Sequence, residues 1–367
     1  MPVWVWRYIQ PEKKLDDEET VVIDLPKKEL ISALKVKVSA TNISGGNAVK
    51  LIHDLIDQFQ VVGEGRTALH VLPPWAEDYI YFVEQGDFPP HVFDETGDAT
   101  QRGEFYILFG RGLGDPEMIL DTGQYSGVQL RFKFELDTSY FASGSGKLEV
   151  LALVPMVTEG VSPKGFVRRS TLLTRDTVAD KEYYHELPIG LPYRRVSLRV
   201  YKSATAISSI LSKVWLRLNE GKIKYFEYNI AEWLELNKYL YRYPIDIHAV
   251  RYRADSANVA TPLAELEEVD PVVGSANPYT LAVSAINGNQ YTLQVYDAAG
   301  SAVAAASKIL EAIEGYFPWH CISIIDEAHW GAPFPSTQFT KVEIAEIESV
   351  ADAEVTPILE EYAPLKI

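Results

Sequence analysis

The sequence has one cysteine, Cys321, so no intrachain disulfide can form. Folding must rest on the core alone, and maturation in a reducing compartment is permitted. Cys321 sits in the run His320-Cys321-Ile322 and reads as a small buried hydrophobe. Long apolar runs are also missing. None approaches the ~20 residues that a membrane span needs. No secretory leader is expected either, because Val3-Trp4-Val5-Trp6 is short for such a segment and meets Arg7 at once. Without a leader, the glycosylation sequon Asn42-Ile43-Ser44 is a match of letters only. Positive charge is scarce: 34 Lys and Arg stand against 51 Asp and Glu, a formal net charge of -17. Nucleic acid is therefore not expected as a direct partner, since phosphate binding needs a basic surface. The same charge favours solubility at high concentration.

The spacings that carry chemistry are absent too. No two of His53, His70, His91, His185, His248, His320 and His329 stand as H-E-x-x-H or H-x-H. The H-x-H spacing is the mark of a cupin, the usual enzymatic β-roll. Asp326-Glu327-Ala328-His329 spells a helicase box, but no phosphate loop accompanies it. Gly144-Ser145-Gly146-Lys147 and Gly110-Arg111-Gly112-Leu113-Gly114 match no nucleotide motif. There is no G-x-S-x-G elbow, and Cys321 has no evident base beside it. Acidic neighbours such as Glu77 with Asp78, or Glu267 with Glu268, read as solvated surface in a chain this rich in acids. His91 and His320, each at a proline turn, read as structural. No catalytic, cofactor-binding or metal-binding residue is expected, and the chain reads as no enzyme.

What is present is period-two alternation. In residues 127–137 (GVQLRFKFELD), Val128, Leu130, Phe132, Phe134 and Leu136 point one way. Gln129, Arg131, Lys133 and Glu135 point the other, as in a strand with one buried face. Residues 147–154, 30–42, 104–110, 182–187, 194–201, 214–218, 223–228, 321–325, 340–347 and 355–359 also read as strands. So do 66–72 and 78–83. Helices are expected from Asn47 through an apolar stripe of Val49, Ile52, Ile56 and Phe59, and over 204–211, 230–241 and 302–313. Asn287-Gly288, flanked by 279–286 and 290–296, is a hairpin signal.

The two halves repeat one plan. Ser39-Ala40-Thr41-Asn42-Ile43-Ser44 answers Ser203-Ala204-Thr205-Ala206-Ile207-Ser208. Glu64-Gly65 answers Glu220-Gly221, and Phe88-Pro89-Pro90-His91 answers Phe317-Pro318-Trp319-His320. Residues 121–125 before the strand at 128 match 336–339 before the strand at 341, and 148–154 matches 355–361. The boundaries that follow are an arm at 1–26, a first unit at 27–158, a linker at 159–180, and a second unit at 181–367 with an insertion at about 230–315. Trp4, Trp6, Arg7 and Tyr8 read either as an assembly contact, on another subunit or a membrane interface, or as an edge strand packed on the first unit.

Two consecutive all-β units on one plan, with paired SAT-x-I-S and F-P-x-H segments and no active site, resemble the double jelly-roll major capsid proteins of tailless icosahedral viruses. The resemblance spans about 30–362. It implies an all-β fold of two tandem jelly rolls, each an eight-stranded β-sandwich, with short helices in the connecting loops. It further implies homotrimers whose six rolls tile an icosahedral shell, outward towers built from loops, and assembly in the host cytoplasm into the virion. Implied partners are the chain itself and, through the N-terminal arm, an internal membrane or minor capsid proteins. The alternative is a β-sandwich carbohydrate-binding or host-attachment protein, because fold alone does not decide between them.

Overall fold

The structure is a computed structural model that describes residues 2–45, 50–86, 89–92, 97–202, 205, 207–241, 280–287, 290–296, 308–311 and 318–365. In chain order its first half holds β1 (Trp4–Lys14), β2 (Glu18–Asp24), β3 (Leu30–Ile31), β4 (Ala33–Thr41), β5 (Phe59–Gly63), β6 (Thr67–Leu72), helix α1 (Pro74–Gln85), β7 (Thr100–Leu108), β8 (Leu120–Asp121), β9 (Val128–Glu135) and β10 (Lys147–Pro155). The second half opens with β11 (Gly165–Thr171), β12 (Arg175–Asp176), β13 (Lys181–Leu187), β14 (Tyr193–Tyr201), α2 (Ile207–Ile210), β15 (Leu211–Leu218), β16 (Ile223–Asn229) and α3 (Ile230–Tyr241). It continues with β17 (Thr280–Asn287), β18 (Gln290–Tyr296), β19 (Lys308–Glu311), β20 (Cys321–Asp326), α4 (Glu327–Trp330), β21 (Val342–Glu348) and β22 (Glu354–Pro364).

Alternation decides the faces. In β9, Val128, Leu130, Phe132 and Phe134 are buried, while the residues between them stay partly exposed. In β4, Leu34, Val36, Val38 and Ala40 are buried in the same way. These two faces meet across the first core, with Leu148, Val150 and Ala152 of β10. Each large apolar side chain so buried contributes about 1.5–3 kcal/mol. A second core gathers Val196, Leu198 and Val200 of β14 with Val214, Leu216 and Leu218 of β15.

The repeat holds strand by strand. The first roll pairs sheet β1-β10-β4-β7 with sheet β2-β9-β5-β6. The second pairs β11-β22-β14-β20 with β13-β21-β15-β16, the same order in each sheet. β6 lies parallel to β11, through Arg169↔His70 and Ser170↔Val71, so one sheet of each roll joins into a nine-stranded sheet that also takes in β12. The hairpins β5–β6 and β15–β16 turn at Glu64-Gly65 and Glu220-Gly221, both in the left-handed region, where the glycine is needed. Single turns at Thr122–Gln124 and Ser336–Gln338 precede β9 and β21. Helices α1 and α3, 12 residues each, follow β6 and β16.

Several expectations are corrected. The first roll begins at β1, because the segment set apart as an arm pairs with β10 from Trp4↔Pro155 to Lys14↔Lys147, and β2 pairs with β9. Backbone pairing outweighs the acidic run Asp16-Asp17-Glu18-Glu19. Residues 78–83 belong to α1 rather than to a strand: Pro74 opens the helix, Gly86 in the left-handed region ends it, and Ala76, Tyr79, Ile80 and Phe82 are buried. Of the helix expected from Asn47, the described residues hold a single turn at Ile52–Leu55, and Phe59 opens β5. Ile52, Ile56 and Phe59 still share the first core. The linker carries β11 and β12, both paired with β22. Lys308–Glu311, placed in a helix by composition, is a strand paired with β18. Asn47, Val49, Phe88, Ser203, Ala204, Ala206, Gly288, Phe317 and 302–307 lie outside the described residues, as do Glu267 and Glu268.

Leu130→Ala, which empties a fully buried site in β9, is expected to cost about 2–5 kcal/mol, and Glu135→Ala on the wet face under about 0.5 kcal/mol. Denaturant unfolding of both variants checks the assignment of faces.

Candidate functional site

Trp4, Trp6, Arg7 and Tyr8 lie along β1, at one edge of the first roll. Trp4 is half-buried against the loop at Gly114 and packs on the cluster between the rolls. Trp6 sets its ring edge on Tyr106 at 6.0 Å, and Tyr106 lies 4.5 Å from Tyr81. Arg7 pairs with Glu29 at 3.1 Å. Tyr8 is 56% exposed, and Val3, Val5 and Trp6 are exposed beside it. Met156 and Val157, just past the end of β10, extend the apolar patch. The four residues thus share one strand; each is anchored on the first roll or left open to solvent.

The site that sequence reading missed lies between the rolls. Helix α1 is wedged there. Its Ala76, Tyr79 and Ile80 pack, with Leu72 at the end of β6, against Ala33 and Leu108 of the first roll and Cys321 and Ile358 of the second. Tyr79 shares hydrogen bonds with Ser197 (3.0 Å) and Ser323 (2.8 Å). Beside them lies a buried ionic network. Glu360 accepts from Arg169 at 2.9 Å, Arg194 at 2.9 Å and Arg195 at 2.7 Å. Glu84 of α1 accepts from Arg194 at 2.8 Å and Arg195 at 2.6 Å. Asp326 accepts from Arg195 at 2.7 Å. Arg169 also donates to the carbonyls of Leu108 and Gly110, tying β11 to the end of β7.

Burial pushes the Glu360 carboxyl up, but Arg195, Arg169 and Arg194 outweigh it and hold the group well below the usual carboxylate range. Burial likewise pulls Arg195 down, and Glu360, Glu84 and Asp326 outweigh that. Glu360 and Arg195 therefore both stay ionised. The signal in the sequence was the doublets Arg168-Arg169, Arg194-Arg195 and Glu360-Glu361, paired charges set beside apolar residues in strands. A register shift between Tyr193 and Arg195 lets neighbouring arginines both turn inward.

Glu77 and Asp78 correct the reading of acidic neighbours as solvated surface, because both are fully buried. Glu77 faces His70 at 2.5 Å, and burial raises its pKa. Asp78 meets His53 and His91 through one oxygen, His91 at 3.1 Å. The fold brings together here what spacing does not: donor atoms of His53, Asp78 and His91 within 4.8 Å of one another. The hydrogen-bond pattern suits a proton-sharing node better than a metal. His91 Nδ1 accepts from the Glu104 backbone N–H at 3.0 Å, so in the neutral ring the proton sits on Nε2, 3.1 Å from Asp78 Oδ2. A metal on Nε2 would force an N–H onto Nδ1 against the Glu104 donor. Burial raises the Asp78 carboxyl, and His91 and His53 more than offset this and keep it ionised.

His320, the repeat partner of His91, is buried against Tyr201. Asp326, first of the helicase-like letters, ends β20 and caps α4 by accepting from the Ala328 N–H at 2.7 Å. Among the described residues no helix is long and apolar enough to cross a membrane.

Two outcomes follow. Glu360→Gln leaves three buried guanidiniums undercompensated and is expected to cost about 3–5 kcal/mol, read as a lower melting temperature. The second concerns acid. Burial, with Arg199 adding, pushes the His320 pKa down to about 3 from the ordinary 6.5. The unfolded chain therefore binds a proton at higher pH than the folded one. The stability is fully present above pH 6.5 and is lost as pH falls toward about 3, by up to ~1.4 kcal/mol per unit. Burial lowers His53 in the same direction. Melting curves across this window are expected to flatten in His320→Gln; an unchanged slope contradicts the assignment.

No protein-family model matches the sequence, and no curated protein matches it. Solved structures do. The STIV major capsid protein aligns over 99% of this chain and 98% of its own, at 11% identity and TM-score 0.57. The same comparison with the atomic structure of Sulfolobus turreted icosahedral virus gives 13% identity, 99% and 91% coverage, and TM-score 0.60. Major capsid protein P2 of bacteriophage PM2 aligns over 98% of both chains at 8% identity and TM-score 0.53. At these identities the likeness is one of fold, and it runs the length of both chains. The chain has the double jelly-roll fold of viral major capsid proteins.

Proposed function

We propose that the chain is a major capsid protein that assembles as homotrimers, whose six rolls make pseudo-hexagonal tiles of an icosahedral shell. The observation that carries this reading is the duplicated roll. The alignments to capsid proteins take in both rolls, 98–99% of the chain. A structural role without catalysis agrees with a chain whose buried polar groups tie elements together rather than line a substrate site. The exposed aromatic strand β1, with Trp4, Trp6, Arg7 and Tyr8, serves self-association. Aromatic anchors dominate such contacts, and apolar area must offset the repulsion of a net charge of -17. Because β1 is built into the first roll, an internal membrane or a minor capsid protein would meet it as part of the roll's surface and not as a free tether. The β17–β18 hairpin, within the insertion at about 230–315, belongs to an outward tower. Synthesis and assembly take place in the host cytoplasm, and the product is the virion capsid.

The test is the mass and shape of the purified protein. Light scattering is expected to give three times the 41.1 kDa of one chain, and negative-stain images to show six-lobed particles or shells. A stable single copy that binds glycans saturably would support the carbohydrate-binding or host-attachment alternative instead.

A further inference from the structure

The order of the sheets contains a junction that is made once and left open once. Reading across the molecule, sheet β1-β10-β4-β7 belongs to the first roll. Next, β2-β9-β5-β6 of the first roll runs on into β11-β22-β14-β20 of the second. Last comes β13-β21-β15-β16. Within the chain, the terminal strand of one roll (β6) meets the opening strand of the next (β11). Their repeat counterparts are β16 and β1. Each is paired on one side only among the described residues, β16 with β15 and β1 with β10.

Burial separates the two pairs. At the internal junction His70 and Leu72 of β6, and Val167 and Arg169 of β11, are each 0% exposed. At the open ends Trp6 is 38% and Tyr8 56% exposed, Tyr225 47% and Tyr228 38%. Nothing in the amino-acid types explains the contrast, since the exposed set is the more aromatic. An open edge presents unpaired backbone donors and acceptors, and proteins cover such edges. The helices follow the same rule. α1, beside β6, has both rolls against it, while α3, beside β16, leaves Tyr239 81% exposed.

We propose that the β16 edge of one copy adds in parallel to the β1 edge of a second copy, repeating between copies the junction that β6 and β11 make within each. The contact is heterologous, since the two surfaces differ, so successive copies form a ring if the rotation closes. This inference rests on the self-assembly reading above and names the strands that carry it. Tyr8 and Tyr228 are then neighbours across the junction.

Cross-linking tests it, because Cys321 is buried and silent toward thiol reagents. Tyr8→Cys and Tyr228→Cys chains, tagged to different lengths, are co-expressed and treated with a short bis-maleimide. The expected product joins one chain of each kind, and neither variant alone gives it. A Val22→Cys chain, exposed on β2 away from both edges, gives none with Tyr228→Cys. Trp6→Ala is expected to weaken association about tenfold or more, as removal of an aromatic anchor does. Three-copy particles without the Tyr8–Tyr228 product overturn this junction and leave the assembly reading standing. A chain that stays a single copy at every concentration overturns both.

Discussion

A sheet edge must be paired, covered or charged, and this constraint organises the whole chain. Duplicating a jelly roll doubles the number of sheet edges. The fold closes one pair of them internally by laying β6 parallel to β11. A parallel pairing of two residue pairs is weak alone. It is held by what surrounds it: α1 wedged between the rolls, Arg169 reaching back to the carbonyls of Leu108 and Gly110, and Glu360 binding three arginines. The junction thus joins a short backbone contact to a dense side-chain seam.

That seam is polar where an apolar one would serve stability as well. A buried ion pair rarely beats a well-packed hydrophobic one, because two charges must first leave water. Its gain lies in geometry. Arg194 and Arg195 each have fixed acceptors on α1 and on β22, so only one placement of the rolls satisfies them. An apolar seam would tolerate sliding. In the proposed capsid role, a fixed angle between rolls matters more than the last few kcal/mol.

Much of the fold was legible in the sequence. Strands with one wet face announce themselves by alternation, as β4 and β9 do, and the repeated turns Glu64-Gly65 and Glu220-Gly221 mark matching hairpins. The site was less legible, for a physical reason. Alternation identifies a buried face only when that face is apolar. Around the seam it is not: Glu77, Asp78, Arg169, Arg195 and Glu360 are buried charges whose partners lie far off in sequence. Helix α1 escaped for a related reason. Its polar residues Glu77 and Asp78 are themselves buried, and its run of aromatics reads equally as a strand. The N-terminal segment was ambiguous because an edge strand open on both faces has the composition of an interacting arm.

The account turns on whether assembly closes the β1 and β16 edges together. Hydrogen exchange of the assembled protein, compared with single copies obtained by dilution, measures this directly. Amides of Trp4–Lys14 and Ile223–Asn229 are expected to slow in step on assembly, while those of β6 and β11, already paired within the chain, stay as slow as before. Protection that appears elsewhere and leaves both edge strands exchanging freely would contradict the account.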